Sequence, residues 1–102
     1  MAQNNLPIAC SLTDTQLQQR RREVLLKAKT SITGVQELEQ GFSYQFSRSP
    51  ERIAQLASLV ALEHQCCPFL KFRLTVEPGN GSISLELTGP EGTKAFLTSL
   101  FG

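Results

Sequence analysis

Between Lys71 and Leu87 the chain reads KFRLTVEPGNGSISLEL, and apolar and polar residues alternate on both sides of PGNG. In an extended segment Phe72, Leu74 and Val76 fall on one face, and Lys71, Arg73, Thr75 and Glu77 on the other. Ile83, Leu85 and Leu87 repeat the pattern after Pro78-Gly79-Asn80-Gly81, whose residues suit a tight turn. A period of two with one apolar face specifies an antiparallel sheet covered on one side only. Leu74 is expected to pair with the strand around Leu85, with Phe72, Val76, Ile83 and Leu87 facing helices.

The helices that cover the sheet announce themselves elsewhere. Thr13-Asp14-Thr15-Gln16 reads as a capping box, and Leu17, Val24, Leu25 and Ala28 continue it as an apolar stripe that should fade between Thr30 and Gly34. Val35 to Glu39 and Phe42 to Phe46 read as two short strands around Gln40-Gly41. Ser49-Pro50-Glu51 supplies an N-cap, a first-turn proline and an acid suited to the helix dipole. The stripe that follows is Ile53, Leu56, Ala57 and Val60, and the same period reaches His64 and Cys67. Gly89-Pro90-Glu91 opens a final helix carrying Ala95, Phe96, Leu97 and Leu100. FSYQFSRSPERIAQL and ISLELTGPEGTKAFL share the order strand, polar turn, Pro-Glu, helix. The expected fold is therefore α+β: a two-layer sandwich with a four-stranded antiparallel sheet from two ββα-like units plus an N-terminal helix.

With 102 residues and 40% apolar composition, the chain suits one domain, residues 1–102, with 1–12 as an extended N-terminal segment. A formal charge of +1 gives no field for gripping phosphates, so neither nucleic acid nor an anionic membrane is an expected partner. Arg20-Arg21-Arg22 fans around a helix and reads as a solvated face. MAQNNLPIACSL lacks a charged start and a long apolar stretch, and no segment is long and apolar enough to span a bilayer, so a cytoplasmic protein is expected.

Three cysteines in a reducing compartment favour free thiols over a disulfide framework. Cys66 and Cys67 are poor partners for each other, because a trans peptide holds their Cα atoms about 3.8 Å apart, short of the usual disulfide range. Cys10 is the better partner if a bridge forms.

Residues 63–69, EHQCCPF, hold most of the chemistry. Packed cysteines at a helix end explain the stretch without any function. Against that, His64 and Cys67 share a helix face, and Pro68 disfavours helical backbone at Cys67 and frees it to turn. Thiolate and imidazole suit zinc, copper(I) or mercury(II). A thiol at a helix C-terminus faces the negative end of the dipole, which opposes a reactive nucleophile, although Lys71 offsets this in part. Glu63 reads as a solvated helix residue. With a single histidine and no acid pair in a cleft, little points to acid-base or acyl-transfer catalysis; a thiol redox enzyme stays open as a third reading, behind the non-catalytic ones.

The stretches ACSLTDTQLQQRRREVL, ALEHQCCPFLKFRLTVEPGNGSISLEL and TGPEGTKAFL resemble a family of small uncharacterised bacterial proteins with a Cys-Cys-Pro-Phe segment, some encoded beside heavy-metal, notably mercury, resistance genes. The resemblance covers most of the chain and is strongest from Ala61 to Leu97. It implies a metal-related role for Cys66 and Cys67, with Cys10 matching an N-terminal cysteine of the pattern, and it implies no reaction. Two functions stand as expectations. One is a soft-metal binding or heavy-metal-response accessory protein using Cys66 and Cys67, joined by Cys10 or His64. The other is an interaction module with buried cysteines that forms a homodimer through an open sheet face or edge.

Overall fold

The computed structural model describes residues 15–79 and 81–101. Seven elements follow in order: α1 (Thr15–Thr30), β1 (Ile32–Leu38), β2 (Gly41–Phe46), α2 (Arg52–Cys66), β3 (Lys71–Val76), β4 (Ile83–Thr88) and α3 (Thr93–Phe101). The strands form one sheet in the order β1-β2-β4-β3, with every neighbouring pair antiparallel. Each ββ pair is followed by a helix, and the two units join through their second strands. This is the expected α+β architecture, with a helix ahead of the strands.

The register explains the two faces. Leu85 lies between Leu74 and Tyr44, and Leu87 between Phe72 and Phe42, so apolar residues of three strands line up row by row. Ile83, Leu85 and Leu87 are buried in the central β4. The helices share this face: Phe101 of α3 stacks on Tyr44 at 4.6 Å between ring centroids, and His64 of α2 meets Phe72 edge-on at 6.4 Å. Leu25 and Ala28 of α1 join the same core while α1 packs on α2. Ser84 and Glu86 alternate to the opposite face of β4 and are half-buried.

Several local expectations shift. β1 starts at Ile32 rather than Val35, because β-branched Ile32 and Thr33 extend the strand and a register irregularity between Ile32 and Gly34 absorbs the join to α1. α2 begins at Arg52 with Glu51 in the cap position and no side-chain cap bond, while Ser49 contributes its carbonyl to the Arg52 N–H. Its buried positions are Leu56, Leu59, Leu62, Glu63 and Cys66, whereas Ile53, Ala57 and His64 are exposed. The stripe is displaced because α2 must satisfy α1 and β3 together, so its buried arc is not the one that best suits a single neighbour. In α3 Leu97 is buried but Ala95 is exposed. Thr13 and Asp14 of the expected capping box, and Asn80 of the turn, lie outside the described residues.

Gly41 is required by close approach rather than by its torsions. A Cβ built there would lie 1.9 Å from the Leu87 carbonyl oxygen, a backbone atom that cannot yield without moving β4. Gly41→Ala is expected to cost about 1–3 kcal/mol by overpacking, read as a lower urea midpoint. A midpoint unchanged from the parent chain would mean that the β2–β4 seam is looser than this spacing.

Candidate functional site

The end of α2 gathers the groups that sequence alone dispersed. Cys66 closes the helix and Cys67 caps it with φ −126° and ψ 72°, outside the helical region as Pro68 requires. The Cys67 N–H still donates to the Glu63 carbonyl at 2.6 Å, which holds the cap against the last turn. Both cysteines are 0% exposed. Cys66 is disulfide-bonded and Cys67 carries a free thiol, so the adjacent pair does not bridge itself. The bridge at Cys66 departs from the expectation of free thiols throughout. Cys10, the partner the sequence favours for any bridge, lies outside the described residues.

Glu63 corrects a second expectation. It is not solvated: its side chain is 2% exposed and lies under α1, where Arg21 grips it. The Arg21 Nε donates to Oε2 at 2.6 Å and a terminal nitrogen donates to Oε1 at 3.2 Å, a two-pronged pairing that fixes the carboxylate plane. The middle residue of the arginine run thus turns inward, while Arg20 and Arg22 remain exposed. Arg21 could have been singled out by its spacing, since it lies one turn from Leu17 and from Leu25 and so shares the buried stripe.

The third member of the cluster is the Cys67 thiol, whose Sγ donates to Glu63 Oε1 at 3.7 Å. Its pKa is pushed up to about 12, first by burial and then by the Glu63 charge, with Arg21 pulling the other way. The Arg21 guanidinium is opposed by its burial and favoured by Glu63, and it ends above its ordinary value. The cation beside Cys67 is therefore Arg21, not Lys71, which is exposed on β3. His64 shares the helix with this cluster but is exposed and turned to Phe72.

Cys66, Cys67 and Glu63 are thus brought to one helix end, with Arg21 across from them. Among the described residues no three His, Cys, Asp or Glu side chains form a group fit to hold a metal ion, and no helix is long and apolar enough to cross a membrane. Comparison with known proteins gives no match to a family model, to a curated protein or to a solved structure.

Proposed function

We propose that the chain is a small binder of a thiophilic metal ion (zinc, copper(I) or mercury(II)) that acts in its reduced form, with Cys66 and Cys67 as sulfur donors. The observation that supports this reading is the buried Arg21–Glu63 pair in contact with the Cys67 thiol. Cysteines serving only as small core hydrophobes need apolar neighbours. Taking an ion pair out of water beside them costs several kcal/mol per ion before Coulomb attraction returns it. Charged groups kept against a buried titratable group that they perturb are more common at functional sites.

In a reducing cytoplasm, where this reading puts the chain, the Cys66 disulfide opens and frees its sulfur. The thiols must then lose their protons to bind, so uptake releases protons and strengthens as pH rises. The test is equilibrium dialysis of zinc against the chain with and without a phosphine reductant. The expected result is about one ion per chain, or one per dimer, with reductant, and none after Cys66→Ser/Cys67→Ser. Equal uptake by that double variant would remove the reading. Cys10→Ser and His64→Ala weaken uptake only if those side chains are ligands.

A second reading draws on the complete burial of both sulfurs. In it the cysteines are structural and the chain is an interaction module, a homodimer through the sheet face opposite the helices or an edge such as β1, where Val35 is 56% exposed. A concentration-independent monomer in sedimentation would exclude it.

A further inference from the structure

We propose that the groove between β1, β2 and α3 binds a small aromatic carboxylate, its ring on the apolar floor and its carboxylate accepting from the Tyr44 hydroxyl beside Lys29. The site contains no cysteine, and the inference does not depend on the soft-metal reading.

The floor follows from the sheet register. Val35 lies opposite Tyr44 in the β1–β2 pairing, so both side chains emerge on the face that carries the helices. α3 covers Tyr44 by stacking Phe101 on it at 4.6 Å, but Val35 on the edge strand stays 56% exposed. Between them lies a cavity of about 240 Å³, lined by Val35, Phe42 and Tyr44 from the sheet, Phe101 from α3 and Lys29 from the end of α1. An apolar cavity of about 150 Å³ holds benzene, so the space suits one ring with a short polar arm.

Two polar groups say what that arm is. Tyr44 is 3% exposed, yet among the described residues its hydroxyl has no hydrogen-bond partner. Burial alone raises its pKa to about 12, so it remains a donor at neutral pH. A buried donor without an acceptor is costly and uncommon, and because Tyr44 lines the cavity an acceptor can be supplied from there. Lys29 is the second group: it is exposed and forms no ion pair among the described residues. Glu37, the acid of β1, is taken by Lys94 at 2.6 Å. One neutral donor and one unpaired cation over an apolar floor match an apolar body with a single negative charge, and a carboxylate accepts from both.

The test titrates phenylacetate into the full chain and follows amide NMR shifts. In the parent chain Tyr44, the only tyrosine in a sequence without tryptophan, also reports through its own emission. Shifts are expected at Val35, Phe42 and Phe101, saturating in the millimolar range or below. Phenylacetamide, which has the same shape without the charge, should bind more weakly. Tyr44→Phe keeps the ring and removes the stranded hydroxyl, so it should fold at least as well as the parent while binding phenylacetate about 10-fold or more weakly. Lys29→Glu alters an exposed residue and should weaken phenylacetate about 3- to 10-fold without changing phenylacetamide. Absence of shifts with phenylacetate would overturn the inference, as would phenylacetamide bound equally tightly or Tyr44→Phe binding like the parent. Should Tyr44→Phe fail to fold, Lys29→Glu decides alone, and unchanged phenylacetate binding by it overturns the site. Shifts at the same amides on raising the protein concentration alone would give the groove to a second copy of the chain and overturn it too.

Discussion

Arg21→Met is expected to destabilise the protein by about 3–5 kcal/mol, because it leaves the Glu63 carboxylate buried without its charge partner. Glu63 is 2% exposed on its side chain and Arg21 13%, so little water is available to take the place of the guanidinium. The neighbour that remains is the Cys67 thiol, a weak donor at 3.7 Å. The pair also ties α1 to α2 across 42 residues, so its loss should loosen the N-terminal helix first. Arg21→Met/Glu63→Met removes both charges, and is expected to recover most of the loss because methionine fills the volume without needing partners. Urea unfolding of the single and double variants measures both effects. A single variant within about 0.5 kcal/mol of the parent would place the pair in the class of exposed salt bridges.

The Cys67 thiol is expected to be nearly inert to alkylation in the folded, metal-free chain. Raising its pKa from 9.0 to about 12 lowers the thiolate fraction near neutrality about 1000-fold, and complete burial slows the reagent further. Iodoacetamide labelling followed by mass spectrometry should therefore show Cys67 unmodified until urea unfolds the chain. Labelling at the rate of a free thiol would mean that the helix end opens readily. The same shift has a consequence for stability. The folded chain keeps the thiol proton at pH values where the unfolded chain has lost it, so stability is complete below about pH 9 and falls as pH rises toward 12. Burial raises Tyr44 from 10.0 to about 12, which adds a decline of the same sign that begins a unit higher. Between pH 9 and 10 the decline from these two groups belongs to Cys67, and Cys67→Ala should flatten it there.

Legibility in the sequence followed the range of the forces. The β3–β4 hairpin was readable because a period of two needs only neighbours along the chain, and Leu74 does face Leu85. The end of α2 was readable for the same reason, since Pro68 restricts the residue just before it. The α2 stripe was read a step off, since its true buried arc is set by two partners distant in sequence, α1 and β3.

The sequence by itself determined the sheet, its single apolar face, the three helices and the helix end at the Cys-Cys-Pro segment, all of which arise from local periodicity and backbone restriction. Tertiary structure alone decided the character of the site. Glu63 looks solvated along the chain, and its burial becomes tolerable only because α1 delivers Arg21 to it from 42 residues away. Cys66 and Cys67 are adjacent and chemically equivalent in sequence, yet one is bridged and the other is a protonated thiol held against a carboxylate. Charge pairing and desolvation depend on which groups meet in space, and no pattern of neighbouring residues encodes that meeting.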